Sequence, residues 1–349
     1  MKNYAVLYAL LAALLFGVNT PFSKLLINEL NPLFLAALLY LGAGIGMTVI
    51  HLFNKSRKIE VTEARLSKRE MPYVILMILL DIAAPIFLLY GISLTNSSTA
   101  ALLGTFEIAA TSVIAVIIFK EAIGKRLWIA IGFISLASIL LTLTDASSIH
   151  LSIGSVLVLL SCVCWGFENN CTRKISLKDP LQIVILKGFG SGMGALLIAS
   201  IWGELSGSLL AIVLAMVLGF VAYGLSIYFY IKAQRGLGAA RTSAYYAAAP
   251  FMGVLISWLV LREPITLSFL IALGIMMLGS WLALSENHEH AHMHDPETHE
   301  HKHTHEEDHH QHSDHRLRSP EHCHSHTHTH ECLEHKHFHL PDSHHRHVH

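Results

Sequence analysis

The sequence predicts an all-α membrane protein: ten transmembrane helices arranged as two inverted five-helix repeats, followed by a disordered histidine-rich tail. Three observations carry this. Ten apolar stretches succeed one another between residues 4 and 285, lysine and arginine collect on one side of them, and the first half of that region aligns with the second. Of 349 residues, 53% are hydrophobic and only 14% charged. Mean hydropathy is +0.50 even with the polar tail included. A soluble protein with this many buried helices would need polar faces between them, which these segments lack.

The stretches lie near 4–22, 32–53, 72–94, 98–119, 127–144, 151–171, 181–202, 209–231, 238–261 and 266–285. Each approaches the roughly 20 residues that cross a bilayer as helix. The first follows Met1-Lys2 but ends in no small-residue cleavage site, so it reads as a span rather than a removed signal. With the N-terminus in the cytoplasm, the inner side receives Lys2, the six charges of the 54–71 loop, Lys120, Lys125, Arg126, Arg173, Lys174, Lys178, Lys232, Arg235 and Arg241. Lys24 and Arg262 fall outside. This is the positive-inside bias of an inner (plasma) membrane protein. An even number of spans returns the C-terminus to the cytoplasm.

The two halves repeat one design. Phe16-Gly-Val-Asn-Thr-Pro-Phe-Ser-Lys24 aligns with Trp165-Gly-Phe-Glu-Asn-Asn-Cys-Thr-Arg173 at an offset of 149. Phe119-Lys-Glu-Ala-Ile123 aligns with Leu261-Arg-Glu-Pro-Ile265 at an offset of 142. The shorter loop near 203–208, against 54–71 in the first half, absorbs the difference of seven. Small residues recur in the second span of each half, as Gly42-x-x-x-Gly46 and as Gly188-x-x-x-Gly192 with Gly190-x-x-x-Gly194. That spacing lets helix backbones approach closely. The organisation is therefore residues 1–145, residues 146–285 and a tail, 286–349. An odd number of spans per half inverts the second half, the arrangement of secondary transporters that rock around a midplane site.

The two five-span halves, the Phe/Trp-Gly step in the first span of each, and the Lys/Arg-Glu-x-Ile signature closing the fourth resemble EamA-type members of the drug/metabolite transporter superfamily. The resemblance covers residues 4–285 and excludes the tail. It implies ten helices, cytoplasmic termini and a central substrate cavity. One departure stands out: Pro250 occupies the ninth span where the first half has Ile108.

Polar groups inside a bilayer are costly and read as functional. Asp81 falls in the middle of the third span and Glu107 in the middle of the fourth, too deep for short side chains to reach the surface. A carboxylate there must pair with a cation, face a wet cavity or hold a proton. Glu168, beside Asn169 and Asn170, either lines the same space or caps nearby basic residues. Asn19 and Thr20 are the pseudo-equivalents of Glu168 and Asn169. Lys187, two turns into the seventh span, either faces the cavity or snorkels to the interface. Pro85, one turn beyond Asp81, is expected to break the hydrogen-bond ladder of its helix, which could free carbonyls to face the same cavity. Tyr245 and Tyr246 read as packing aromatics. Cys162, Cys164 and Cys171 read as packing residues too, since positions two apart point to opposite sides of a helix. Substrate or coupling-ion contacts are thus expected from Asp81, Glu107, Glu168, Asn19 and Lys187.

The tail is different chemistry. Residues 288–349 hold 24 of the 26 histidines, scattered among Asp, Glu, Ser and Thr rather than in one uniform block. With no apolar run to build a core, the segment is expected to stay disordered until metal gathers it. Imidazole and thiol suit Zn²⁺, Ni²⁺ or Co²⁺, and the densest candidate ligands are His322, Cys323, His324, His326, His328, His330 and Cys332, with His301, His303 and His305. On this topology the two cysteines face a reducing compartment and stay thiols. A solvated, pH-buffering tail is the plainer alternative.

No cofactor is required, and nothing suggests nucleic acid. Gly236-x-Gly238 lacks the Gly-Lys-Ser/Thr step of a P-loop, and the membrane part has only His51 and His150, so enzymatic function has no support. Expected partners are the lipid bilayer and a small solute or metal ion, with a homodimer left open. Three functions remain: a divalent-metal exporter fed by the tail, an exporter of an organic metabolite or amino-acid-like solute with the tail as metal-responsive regulator, and a membrane-anchored metal store. The inverted repeat argues against the last.

The 286–349 peptide carries 13 acidic residues against 5 Lys and Arg, which favours cations. Calorimetry at pH 7.5 is expected to show uptake of several Ni²⁺ or Zn²⁺ ions. The affinity should fall as pH drops through about 6.5, where protons take the imidazoles.

Overall fold

In a computed structural model, the backbone is described at residues 2–57, 66, 68, 70–119, 123–143, 152–175, 178–237, 242, 245–285 and four short tail segments. Side chains are described at these positions except 2–3, 173, 234–237, 284 and the tail. The helices are α1 (Lys2–Gly17), α2 (Asn19–Leu26), α3 (Pro32–Ser56), α4 (Met71–Leu94), α5 (Ser97–Leu103), α6 (Phe106–Ile117), α7 (Lys125–Thr142), α8 (Ile153–Ile175) and α9 (Pro180–Ile201). They continue with α10 (Leu209–Gly219), a π-helical turn (Phe220–Leu225), α11 (Ser226–Leu237), α12 (Ala249–Leu261) and α13 (Leu267–Leu284). Eight spans are long and apolar enough to cross a membrane, and two shorter apolar helices, Ala249–Leu261 and Leu267–Ala283, supply the ninth and tenth positions.

The starts and breaks have local causes. Pro32, Pro72, Pro180 and Pro250 each sit at the first or second residue of a helix, where a missing N–H costs nothing. The first span bends between α1 and α2, where Pro21 cannot donate to the Gly17 carbonyl four residues earlier. The fourth span breaks at Gly104, and the next turns tighten: Thr105 N–H reaches Leu102 O and Glu107 N–H reaches Gly104 O, both at 3.1 Å. Pro85 has no N–H to give the Asp81 carbonyl four residues earlier, so the ladder loses that bond as expected, but the helix does not end. α4 runs through Pro85, because one lost N–H removes a single bond while α8 and α9 brace the helix on both sides.

The packing partners display the repeat. Span 2 lies on span 7, span 4 on span 9 and span 5 on span 10, each a helix against its own counterpart. Span 3 packs on span 6 and span 1 on span 8, pairs that the repeat interchanges. The contact pattern is therefore unchanged when the halves are swapped, as an inverted repeat demands. Between α3 and α9 the glycines make this possible. A methyl group on Gly188 would collide with the backbone of Gly44 and lie 3.0 Å from the Tyr40 carbonyl.

Both halves are also tied at one end of the bundle. Ser97 and Ser98, the first residues of α5, donate their backbone N–H groups to Glu263, each at 2.7 Å, and the Ser98 hydroxyl donates to the same carboxylate. Glu263 thereby caps α5 with the signature glutamate of the opposite half. The preceding Arg262 has φ 52°, a left-handed conformation uncommon outside glycine. Lys24 donates to the carbonyls of Ile92 and Thr95 where α4 ends, and Ser208 donates to Glu29 at 2.6 Å.

In the tail, four strands pair as two separate antiparallel ladders: β1 (His288–Met293) with β4 (Glu334–His339), and β2 (Thr298–His303) with β3 (His324–Thr329). Two-stranded ladders are marginal on their own in water. The proposed ligands His301, His303, His324, His326 and His328 lie on β2 and β3; His305, His322, Cys323, His330 and Cys332 lie outside the described residues.

Replacing Gly188 with Leu is expected to force α3 and α9 apart. Overpacking of this kind costs about 1–3 kcal/mol, so the thermal midpoint of the purified protein should fall, whereas Leu197→Ala on the lipid-facing side of the same helix should leave it nearly unchanged.

Candidate functional site

The polar residues expected in the spans converge on one place. Asp81 hangs from the middle of α4, Glu168 and Asn169 from the last third of α8, and Lys187 from the second turn of α9. The Lys187 ammonium lies 2.9 Å from Glu168 Oε1 and 3.1 Å from Asp81 Oδ2. One cation thus joins a carboxylate of the first half to one of the second. Asp81 is fully buried, Glu168 and Lys187 nearly so. Snorkelling by Lys187 is overturned: its side chain turns inward, because two carboxylates attract the ammonium more strongly than the interface does. Glu168 is engaged by Lys187 and by the Thr172 hydroxyl.

Each carboxylate is held by neutral donors as well. The Tyr40 hydroxyl donates to Asp81 Oδ1 at 2.9 Å, while Asp81 Oδ2 accepts no well-formed hydrogen bond despite the nearby ammonium. The distance establishes attraction, and the poor alignment leaves that oxygen incompletely satisfied. Asn169 donates to Glu107 Oε1 at 2.7 Å, and Glu107 lies within electrostatic reach of Glu168 and Lys187. Its place just past the break in the fourth span, where the backbone tightens, aims it toward α8. Asn170 ties α8 to α6 through the Thr111 carbonyl at 3.1 Å.

Asn19 sits on the other side of this group, buried, donating to the Tyr223 hydroxyl at 3.0 Å and accepting from Ser23 at 3.2 Å. Tyr223 belongs to the π-helical turn. Such turns insert one extra residue into a helix and recur at functional sites; here the turn carries a buried tyrosine onto Tyr40, ring centroids 5.0 Å apart. Phe16 completes an aromatic cluster, 6.1 Å from Tyr223, 6.3 Å from Trp165 and 5.8 Å from Tyr246. Tyr246 is thus packed among rings, as expected, but at the centre of the protein. The cysteines behave as packing residues: Cys162 is buried with its thiol 3.6 Å from the Leu103 carbonyl.

Residues Asp81, Glu107, Glu168, Lys187 and Asn19 are therefore brought together. Tyr40 and Tyr223 were not singled out from sequence. Tyr40 lies in an apolar run, and no pattern marks the π turn. Phe16 and Trp165 had a signal, since they occupy matching positions of the repeat. Asp81, Glu168 and Lys187 are buried, and Glu107 is partly exposed.

Chemically, the site can exchange a cation. Two carboxylates, one from each half, share one ammonium, and moving that ammonium, adding a proton or admitting another cation changes which half holds the charge.

The EamA-like transporter family matches residues 3–143 and 152–285, one match per half. An uncharacterized transporter of Methanothermobacter thermautotrophicus is 26% identical over 285 residues, spanning 76% of this chain and 82% of that one. The uncharacterized transporter YyaM of Bacillus subtilis (strain 168) is 24% identical over 292 residues, spanning 80% of this chain and 93% of its own. A crystal structure at 15% identity superposes with a TM-score of 0.60 over 80% of this chain and 95% of that chain, a likeness of fold.

Removing the Tyr40 hydroxyl leaves the buried Asp81 with one donor fewer. Tyr40→Phe is expected to lower stability by about 1–3 kcal/mol, measured as a drop in thermal midpoint. Tyr228→Phe, at a partly buried ring outside the cluster, should have little effect.

Proposed function

Since the chain belongs to the EamA-like transporter family, we propose that it is a proton-coupled secondary exporter of a small organic solute in the plasma membrane. Both termini face the cytoplasm and the tail acts as a metal-responsive regulator. The observation that carries this reading is the single ammonium of Lys187 shared by Asp81 and Glu168 across the two halves. A buried group of this kind has two alternative pairings, one with each half, and a proton or a bound cation decides between them. Rocking the halves apart then exposes the carboxylates to one side of the membrane or the other. An organic cargo is favoured over a metal by the donors at the centre. They are carboxylate, phenol and amide oxygens with aromatic faces, whereas nickel, cobalt and zinc favour imidazole and thiolate. Among the described residues no three of His, Cys, Asp and Glu gather to hold a metal ion.

A second reading, export of a divalent metal, rests on the tail. Its 24 histidines would raise the local ion supply at the inner mouth, and the carboxylates would pass the ion through.

In proteoliposomes with an imposed pH gradient, Asp81→Asn and Glu107→Gln are each expected to lose solute-coupled proton flux while still inserting, because an amide keeps the shape but cannot exchange a proton. Normal flux in either variant would make that carboxylate structural. Truncation after Ser285 separates the two cargo readings. In the organic reading, solute flux persists but no longer responds to Ni²⁺ or Zn²⁺. Saturable metal uptake into inside-out vesicles, with and without the tail, would instead support the metal reading.

A further inference from the structure

Resting on the transport reading above, we infer that the solute is an organic ammonium with an apolar or aromatic body and no carboxylate, and that Lys187 is its internal stand-in. The site is built for positive charge. The ammonium of Lys187 lies between the carboxylates of Asp81 and Glu168, and a third carboxylate, Glu107, is joined to Asn169 beside Glu168. A ligand carboxylate would meet three like charges with one cation to offset them. A ligand ammonium would meet the reverse.

The rings supply the rest of the recognition. Tyr40, hydrogen-bonded to Asp81, packs at a tilt against Tyr223; Phe16 touches both Tyr223 and Tyr246. Through the Tyr40 hydroxyl the ring cluster adjoins Asp81, and Asn19 donates to Tyr223 on it. Ring faces attract ammonium groups at about 6 Å or less from the centroid, more strongly when desolvated, and they also bury an apolar body.

Lys187 explains how two buried carboxylates from opposite halves come to be packed side by side. Buried carboxylates with no cation would hold the halves apart, because uncompensated charge is expensive in low dielectric. The tethered ammonium fills the place of the solute's own and lets the ligand-free protein adopt the packed conformation. An arriving ammonium competes with Lys187 for Asp81 and Glu168, so binding and release of the ion pair are one event.

The test uses purified full-length protein and three probes of similar size: 2-phenylethylammonium, phenylalanine and 3-phenylpropionate. Calorimetry and ligand-induced thermal shift are expected to show binding of the ammonium, with the other two at least about tenfold weaker. Lys187→Met should bind the ammonium about tenfold more tightly, having lost its competitor, and should gain more thermal stability from it than the wild type does. Phe16→Leu should weaken the same binding several-fold. If Lys187→Met proves too unstable to purify, probe selectivity and Phe16→Leu still decide. Preference for 3-phenylpropionate or phenylalanine, or loss of ammonium binding in folded Lys187→Met, would overturn the inference. Asp81-dependent proton flux driven by a carboxylate solute would overturn it too, while leaving proton-coupled transport standing. Ammonium binding with no flux of any kind would uphold the ligand class and sink the transport reading.

Discussion

A charge buried in a low-dielectric interior must be compensated, and here one lysine performs that compensation for both halves of the protein. Lys187 comes from the second half, Glu168 from the same half, and Asp81 from the first. The close contact of α3 with α9, the packing of α4 on α8 and the tyrosine on Asp81 all serve to bring both carboxylates to the Lys187 ammonium, at 3.1 and 2.9 Å. Small residues permit that approach. In a bilayer, where lipid is as apolar as leucine, the packing of Gly44 on Gly188 contributes what hydrophobic burial would contribute in water.

The same compensation makes the arrangement changeable. An ion pair shared between two rigid bodies has its strongest effect on their relative position, since neither carboxylate can leave without stranding a charge. The end of the bundle where Glu263 caps α5 adds a second tie between the halves, at a helix terminus whose N–H groups have no partner within the helix. One tie lies inside the bundle and depends on cations. The other lies at an end and depends on backbone geometry.

Much of this was legible in the sequence because it has simple periodic causes. Span length, the side on which lysine and arginine fall, and the two offsets of the repeat are each one-dimensional signals. Asp81 and Glu107 were legible for the opposite reason, as exceptions that an apolar run cannot tolerate without purpose. Lys187 was ambiguous because a long side chain two turns from an interface can point either way; only the positions of Asp81 and Glu168 in three dimensions decide it. Tyr40 and Tyr223 were invisible because a tyrosine in a span is ordinary, and the π turn that aims Tyr223 inward has no composition of its own. Pro85 takes one bond from the ladder without ending α4, because a helix packed against α8 and α9 survives the loss of one hydrogen bond.

The most direct measurement of the account is a double-mutant cycle on the thermal stability of the ligand-free protein, with Lys187→Met, Asp81→Asn and the pair. If the shared ammonium holds the halves together, Lys187→Met alone should cost about 3–5 kcal/mol by stranding buried carboxylates. Adding Asp81→Asn should then restore a substantial part of that loss, giving a coupling of about 1–3 kcal/mol. Additive effects of the two substitutions, with no recovery in the pair, would show that Lys187 and Asp81 do not act on one another and would contradict the account.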